Sequence, residues 1–435
     1  MRFEQVSPMK HDPAKQRTVF LFDLDGTLTT QETLPLIAER CGLDVDINRL
    51  TAETVKGNLP FVESFIRRVD ILKQVPVSRI ANILRDVSIS EQLVRFLREE
   101  KDNCYIVTGN LSCWVEGLLE EKIPCGYFAS KGLVEGDRLV KIKEVLKKEE
   151  IVRYFKNQGS RVVFVGDGNN DSQAMREADV SVACGHTHYP AQSVLSVADY
   201  LVFDEAALVR LLAHILEPNK PGKTLVLSCA GIGSRLGTSQ AKSLIRLNDT
   251  TVIEWQLRQF AEMSDIRIVV GFQAKEVMEI ALGIRRDIIF VFNHDYFHTG
   301  TGASLYLGSR FAREYVVAWD GDLLVHPEDV KVCLATQEYI GCSRLFSSQP
   351  VWAKTDESGH VVSFSVESGD IEWSGPACLR SERIDYVKDN VYDILKRMLP
   401  MPVLEIRAVD IDTYEDYERA LKLATEWGIT NDNRQ

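Results

Sequence analysis

The stretch TVFLFDLDGT, residues 18–27, sets the expected fold of the first half of the chain. Its leading residues are mostly apolar, and the aspartates that follow, Asp23 and Asp25, stand two positions apart. Short apolar runs that end in polar residues recur along the chain, at residues 104–109, 161–168, 223–231, 266–271, 287–293 and 315–322. Such runs, separated by helical patterns, are typical of buried parallel strands in an α/β fold. Polar residues at the carboxyl ends of these strands lie where open sheets bind ligands.

The order of these patterns predicts two α/β domains. Leu34, Ile37 and Cys41 follow the i, i+3, i+7 spacing of a helix, and helical patterns continue to about residue 98. The segment EPNKPG contains two prolines and a glycine, which indicates a linker. The predicted boundaries are a loose tail at 1–17, a first domain at 18–216 with its helical cap at about 30–98, the linker at 217–222 and a second domain at 223–435.

The composition restricts the kind of partner that the chain can have. Its 435 residues carry a formal net charge of −12, and an acidic chain repels phosphate backbones, so nucleic-acid binding is not expected. No apolar run approaches the roughly 20 residues that a membrane helix needs. Nine scattered cysteines without a CxxC pair indicate reduced thiols. We therefore expect a cytoplasmic protein that acts on small molecules, and self-association stays open.

A first group of polar residues is suited to phosphomonoester hydrolysis. Covalent hydrolysis needs a nucleophile beside a proton donor, and the pair Asp23 and Asp25 at a strand end meets this need. The loop GDGNND, residues 166–171, supplies two further carboxylates that suit Mg²⁺. Thr108 and Gly109 offer a hydroxyl and a backbone N–H for phosphate oxygens. Each motif alone fits a turn or a calcium-type loop, but the three together at strand ends predict a phosphohydrolase.

The segments FDLDGTLT, IVTGN and VGDGNND resemble motifs one, two and four of the haloacid dehalogenase superfamily, and especially its phosphoserine phosphatases. The resemblance implies a Rossmann-like domain with a helical cap. It also implies that Asp23 is the nucleophile, Asp25 the general acid/base and Thr108 a phosphate ligand. The metal-binding candidates for Mg²⁺ are Asp23, Asp25, Asp167 and Asp171.

Two further parts of this site follow from the same resemblance. The third motif is a lysine, for which Lys148 is the first choice and Lys143 and Lys147 are rivals. In the cap, Glu32 and Arg68 match a clamp for the ammonium and carboxylate of phosphoserine, although a capping glutamate and a surface arginine would explain them equally simply. The other substrate-binding candidates are Gly109 and Asn170. The chain departs from the family at Asn110, where a second glycine is common.

A second group of residues points to nucleotide chemistry. A strand leads into GIGSRLG, residues 231–237, whose glycines let backbone N–H groups approach a triphosphate. Arg235 and Lys242 are the expected catalytic cations, which neutralise phosphate charge as pyrophosphate leaves. A dinucleotide-binding turn is the alternative, but its fingerprint lacks these two cations. The substrate-binding candidates at this turn are Gly231, Gly233 and Ser234.

GIGSRLG with the downstream KSLI resembles the signature of sugar-phosphate and alcohol-phosphate nucleotidyltransferases, which implies a mixed-sheet α/β domain. Alanine replaces their usual proline at Ala241. The segments DGD at 320–322 and VDIDTYED at 409–416 resemble the family's acidic elements. The resemblance implies Mg²⁺ ligands at Asp322, Asp410 and Asp412. For each acid a turn or a helix N-cap is the simpler interpretation, and Thr413 with Asp416 would form a capping pair.

The identity of the nucleotide rests on one segment. Asn293 and Tyr296, followed by Ser304 and Leu305, resemble choline-phosphate and aminoethylphosphonate cytidylyltransferases, which implies CTP as co-substrate and Ser304 as a substrate-binding residue. The run with glycines at 300 and 302 resembles the corresponding segment of sugar nucleotidyltransferases, which often use UTP or dTTP. A sugar-phosphate nucleotidyltransferase that uses UTP or dTTP is therefore the alternative. We expect a bifunctional enzyme, with a catalytically silent domain that only binds phosphometabolites as the other possibility.

Overall fold

The computed structural model describes residues 16–55, 58–233, 240–345, 347 and 350–429, and the chain divides into two compact units between Val209 and Arg210. The division falls inside a helix, Glu205–Leu216, and the predicted linker at 217–222 lies between that helix and the next strand. Most of the tail predicted at 1–17 is outside the described residues.

The first unit is built on a largely parallel sheet. Its strands β1 to β7 are Thr18–Phe22, Cys104–Leu111, Gly126–Glu135, Arg138–Glu144, Arg161–Gly166, Val180–Cys184 and Tyr200–Val202. They lie in the order β7-β6-β5-β1-β2-β3-β4, and only the pair β3 and β4 is antiparallel. Every residue of the central strand β1 is buried, as expected for a strand with both faces covered.

Helices cover this sheet and form the predicted cap. Helices α1 to α10 are Thr33–Cys41, Asp44–Val55, Phe61–Leu72, Val77–Arg85, Glu91–Glu99, Ser112–Lys122, Lys148–Asn157, Ser172–Glu177, Gln192–Leu195 and Glu205–Leu216. The first five lie between β1 and β2, so the helical insert predicted from the apolar spacing is confirmed. In α3 the buried residues Phe65, Val69 and Leu72 recur along one face, and this face anchors the helix.

The second unit is built on a mixed sheet. Its strands β8 to β20 are Lys223–Cys229, Arg246–Leu247, Thr250–Thr251, Ile266–Val270, Ile289–Phe292, Tyr315–Asp320, Leu323–Val325, Tyr339–Ser343, Trp352–Thr355, His360–Ser365, Ile371–Arg380, Met401–Glu405 and Ala408–Asp410. The main sheet has the order β15-β19-β17-β16-β18-β13-β8-β11-β12. Its helices α11 to α16 are Val252–Gln259, Ala274–Ile284, Thr301–Ser309, Pro327–Ala335, Val391–Leu395 and Tyr414–Glu426.

The mixed α/β class predicted for both domains is thus confirmed. In the second unit β8 pairs in parallel with β11 and β13, whereas β13 and β18 are antiparallel. The register pairs Ser228 with Asp320, so the glycine turn after β8 and the acidic turn after β13 meet at one edge of the sheet. Among the described residues, no helix has the length and apolar character needed to cross a membrane.

Two candidate active sites

The first candidate site lies at the carboxyl ends of three neighbouring strands. Strand β1 pairs in parallel with β2 on one side and with β5 on the other, with Phe22 opposite Ile106 and Val165. The residues after Phe22 and Val165, and Thr108 in β2, therefore lie at the same edge of the sheet. This topology explains why three motifs so distant in sequence form one site.

Lys148 is the lysine that the structure brings to this edge. Its Nζ lies 2.6 Å from an oxygen of Asp23 and 2.6 Å from an oxygen of Asp171, and its side chain is only 2% exposed. The rivals Lys143 and Lys147 are exposed. Burial alone would lower the pKa of Lys148, but the two carboxylates outweigh it and raise the pKa above the ordinary lysine value.

Three carboxylates form a group that fits a hard cation. One oxygen each from Asp23, Asp167 and Asp171 lies within 4.8 Å of the others. The second oxygen of Asp171 accepts the backbone N–H groups of Asp167 and Gly168, at 3.1 and 2.9 Å, and this fixes the loop. Oxygen ligands of this kind suit Mg²⁺.

Burial, together with mutual repulsion, disfavours the charged form of two of these acids. Burial, followed by the charge of Asp171, raises the pKa of Asp23 well above its ordinary value. Burial also raises the pKa of Asp167 to about 6, with Asp171 adding to the effect. A divalent cation would favour the charged carboxylates and reverse both shifts.

Asp25 turns its carboxylate away from the three-carboxylate group and toward the start of α1. One oxygen accepts the backbone N–H of Thr33 at 2.9 Å and the Thr33 hydroxyl. The other oxygen accepts the side-chain amide of Asn110 at 2.6 Å. Burial, followed by the charge of Glu32, raises the pKa of Asp25 to about 6. This orientation favours a proton-transfer role over the predicted ligation of metal by its carboxylate.

Glycine is required at position 26, directly after Asp25. Gly26 has a φ of +69°, and a Cβ there would lie 2.7 Å from an oxygen of Asp167. Any side chain at this position would therefore push Asp167 out of place.

Thr108 is fully buried, and its hydroxyl accepts the backbone N–H of Asn110 at 3.1 Å.

A cavity opens from the acids toward the cap. Its lining residues come from the strand ends and from helices of the cap: Asp23, Asp25, Glu32, Leu34, Phe61, Phe65, Arg68, Gly109, Asn110, Asp167, Gly168 and Asn170. The structure therefore brings the predicted substrate-binding residues Glu32, Arg68, Gly109 and Asn170 to one cavity with the predicted nucleophile.

The two clamp residues differ in how they are engaged. Arg68 is 6% exposed, donates only a 3.4 Å hydrogen bond to the Ser64 carbonyl, and forms no ion pair with any described residue. Glu32, in contrast, already has a partner, because Nε2 of His188 lies 3.1 Å from it. The same nitrogen lies 3.1 Å from Asp167. Hydrogen bonds to Asp167 and Glu32 raise the pKa of His188 to about 11.

His188 was not predicted from the sequence, because a histidine in a polar loop carries no pattern of its own. Asn110 was noted there only as a departure from a family motif.

The second candidate site lies where β8 and β13 end. Gly231 and Gly233 line its cavity together with Lys242, Asn293, Tyr296, Ser304, Asp320 and Asp322. Gly233 has a φ of +68°, and a Cβ there would lie 2.6 Å from the Gln240 carbonyl, so this turn needs glycine. Ser234 and Arg235, which were predicted to bind and to neutralise the triphosphate, lie outside the described residues.

Three aspartates at this site form a second candidate metal group. Oxygens of Asp322, Asp410 and Asp412 lie within 4.8 Å of one another, because strands β14 and β20 pair next to the turn after β13. The predicted capping pair is also present: Thr413 and Asp416 cap helix α16. The capping role therefore falls to Asp416, whereas Asp410 and Asp412 belong to the carboxylate group.

Lys242 lies among these acids. Its ammonium is 2.6 Å from Asp322 and contacts Asp412 directly. Burial alone would lower the pKa of Lys242, but Asp322, Asp410 and Asp412 outweigh it and raise the pKa above the ordinary value. Burial and the charge of Asp322 raise the pKa of Asp410 well above its ordinary value.

Asn293 and Asp320 are two more polar residues that line this cavity. The amide of Asn293 donates to the hydroxyls of Thr299 and Ser304, at 3.0 and 3.2 Å. Asp320 also lines the cavity, and burial, followed by the charge of Asp322, raises its pKa to about 7. Asp320 was not among the residues predicted from the sequence. It stands two positions before Asp322 at a strand end, and the same spacing predicted the roles of Asp23 and Asp25.

Comparisons with known proteins agree with this geometry. Residues 18–179 match the family model of haloacid dehalogenase-like hydrolases, and residues 225–365 match that of MobA-like NTP transferase domains. A phosphoserine phosphatase from Methanocaldococcus jannaschii is 29% identical over 214 residues, which cover 46% of this chain and 99% of that protein. One from Archaeoglobus fulgidus is 29% identical over 181 residues, which cover 39% of this chain and 53% of that protein.

A solved structure of CTP:phosphocholine cytidylyltransferase from Streptococcus pneumoniae is 21% identical, with a TM-score of 0.39, and the match covers 46% of this chain and 98% of that chain. The family matches are carried by the two halves of the chain separately. This protein is therefore a fusion of a haloacid dehalogenase-like hydrolase domain, similar to phosphoserine phosphatases, with a MobA-like NTP transferase domain.

Proposed function

We propose that the chain is a bifunctional enzyme that needs Mg²⁺ at both sites. The first domain hydrolyses a small phosphomonoester of the phosphoserine type through an aspartyl-phosphate. The second transfers a cytidylyl group from CTP to a small phosphoester or phosphonate and releases pyrophosphate. The buried Lys148, held between Asp23 and Asp171, is the observation that supports the hydrolase most strongly.

The hydrolase reaction uses Asp23 and Asp25 in succession. An Asp23 oxygen attacks the phosphorus, the bond from phosphorus to the ester oxygen breaks, and Asp25 gives its proton to the leaving alcohol. Asp25 then takes a proton from the water that hydrolyses the aspartyl-phosphate. Lys148 and the N–H of Gly109 offset charge on the phosphoryl oxygens. Mg²⁺ held by Asp23 and Asp167 would supply the remaining positive charge.

The cap supplies the substrate preference in this proposal. The Arg68 guanidinium forms no ion pair with any described residue, although the charges of Glu32 and Asp25 reach it, and a buried cation of this kind favours an anionic group on the ligand. The carboxylate of a phosphoserine-like substrate meets that demand. Glu32 receives its ammonium, in competition with His188.

The transferase reaction is a displacement at the α-phosphorus of CTP. An oxygen of the acceptor phosphate or phosphonate forms the new bond, and the bond to pyrophosphate breaks. Backbone N–H groups of the turn at Gly231 and Gly233 bind the triphosphate, and Lys242 offsets its charge. Mg²⁺ held by Asp322, Asp410 and Asp412 would supply further positive charge at the same phosphates.

The glycines at 300 and 302 pack against the backbone of residues 389 and 390. A Cβ at Gly300 would lie 2.0 Å from the Asp389 carbonyl, and one at Gly302 would lie 3.0 Å from the Asn390 carbonyl. Both glycines thus have a structural reason that is independent of the nucleotide base. The segment from Asn293 to Ser304 keeps its resemblance to cytidylyltransferases.

The proposal is tested by measuring phosphate and pyrophosphate release in the presence of Mg²⁺. The substrates are phosphoserine, phosphocholine, phosphoethanolamine, aminoethylphosphonate and a sugar phosphate, each alone, with CTP and with UTP. We expect phosphate from phosphoserine without nucleotide, and pyrophosphate only with CTP and one acceptor. Pyrophosphate with UTP and a sugar phosphate, but not with CTP, would contradict the cytidylyl assignment. Absence of phosphate release from every ester would identify the first domain as a binding scaffold.

A further inference from the structure

Asn110 occupies an unusual place in the hydrolase site. Its side-chain amide donates hydrogen bonds to Asp25 at 2.6 Å and to the Thr33 hydroxyl at 2.8 Å. The Thr33 hydroxyl and backbone N–H donate to the other oxygen of Asp25. Asp25, Thr33 and Asn110 therefore form a closed ring of hydrogen bonds in which both carboxylate oxygens are held.

The burial of Asn110 argues for more than a surface contact. The residue is 3% exposed, lines the cavity, and its Oδ1 accepts no hydrogen bond from any described residue. A buried acceptor without a partner destabilises the folded state. A glycine, common at this position in the resembling family, would avoid that cost. The hydrogen bond to Asp25 gives a reason for an asparagine at this position in spite of its unfavourable burial.

We propose that Asn110 is a positioning residue for Asp25, which it holds in the orientation needed for proton transfer. This inference rests on the hydrolase activity proposed above. Proton transfer requires the donor oxygen within hydrogen-bond reach of the leaving alcohol. Thr33 fixes one oxygen of Asp25, and Asn110 fixes the other, so that the carboxyl group cannot rotate about its Cβ–Cγ bond. The same orientation serves the water that releases phosphate from Asp23.

Two esters that differ in their need for a proton distinguish this role from general support of the fold. The serine alkoxide of phosphoserine needs a proton as it leaves, whereas the phenolate of 4-nitrophenyl phosphate leaves without one. We expect N110A to lower kcat/KM for phosphoserine about 10-fold to 100-fold, a part of the ~10²–10⁴ that proton transfer contributes. For 4-nitrophenyl phosphate kcat/KM stays within about 3-fold of wild type, whereas kcat falls because hydrolysis of the aspartyl-phosphate still needs Asp25. A burst of nitrophenolate should therefore appear.

The Asp25→Asn background provides the control. There N110A should add less than about a 2-fold loss with phosphoserine, because the group that it orients no longer transfers protons. N110G is measured in parallel, so that a folding defect of one variant does not decide the result. Equal losses of kcat/KM for both esters, or an additive loss in the Asp25→Asn background, would overturn the inference. If wild type hydrolyses neither ester, the proposed hydrolase activity itself is wrong.

Discussion

At the scale of single residues, both sites place one lysine among several aspartates. Lys148 contacts Asp23 and Asp171, and Lys242 contacts Asp322 and Asp412. In each site a third aspartate joins the group, so one ammonium offsets only part of the negative charge. The remaining charge makes each group a good ligand for a divalent cation and a source of repulsion without one.

Replacement of Asp167 by Asn should remove one pH-dependent contribution to the free energy of unfolding. Asp167 has a folded pKa of about 6, above the ~3.9 of an unfolded aspartate, so the folded state binds its proton more tightly. This contribution is present at pH 4 and is lost as the pH rises through 6. In EDTA, the free energy of unfolding of D167N relative to wild type should therefore rise between pH 4 and pH 7. It is measured by urea unfolding at each pH.

Addition of Mg²⁺ at pH 7 is the matched control for D167N. The ion should stabilise the variant less than it stabilises wild type, because the charged Asp167 is one of its proposed ligands, whereas the group formed by Asp322, Asp410 and Asp412 is intact in both proteins. A difference between D167N and wild type that does not change with pH would contradict the assignment of the raised pKa to this carboxyl group.

At the level of secondary-structure elements, helix α3 contains both the arginine proposed to bind the substrate and a neighbouring arginine that serves as its control. Arg68 faces the cavity, whereas Arg67 is exposed and forms an ion pair with Glu63. R68A should raise KM for phosphoserine about 10-fold to 100-fold, since a charged hydrogen-bonded contact contributes about 1.5–3 kcal/mol. R67A should leave KM unchanged. Both values are obtained from initial rates of phosphate release.

A substrate without a carboxylate completes this test. With 4-nitrophenyl phosphate, R68A should retain the wild-type KM, because the guanidinium then has no anion to bind. A loss of the same size for both substrates would mean that Arg68 supports the cap rather than the substrate.

Strands and strand-end motifs were predictable from sequence, and contacts between distant loops were not. Apolar runs located β1 and β5, since burial on both faces leaves a continuous apolar signal. The choice among Lys143, Lys147 and Lys148 needed the structure, because neighbouring lysines on a polar segment look alike until one is buried. His188 and Asn110 act through contacts with residues 156 and 85 positions away, and a single sequence does not record such pairings.

At the scale of the whole molecule, each unit contains its own complete set of acids and its own lysine. We therefore expect the two activities to be lost separately. D23N should abolish phosphate release by at least about 10³-fold, because it removes the nucleophile, and should leave pyrophosphate release unchanged. D322N should do the opposite. Both products are followed in one reaction with CTP, the acceptor and phosphoserine.

Loss of both activities from either substitution would contradict this independence. Circular dichroism of each variant shows whether such a joint loss has a structural cause. Separate loss of the two activities would instead show that each unit carries its own reaction.

The position of Lys242 also bears on the order of binding in the proposed transferase reaction. With its ammonium engaged by Asp322 and Asp412, the lysine is already neutralised when a nucleotide arrives. A bare triphosphate must compete with two aspartates for it. If the second site holds a triphosphate together with Mg²⁺, as proposed above, the ion would be held by those aspartates and the lysine would become available to the phosphates. We therefore expect substrate and metal to enter as a single unit, and nucleotide without metal to bind more weakly.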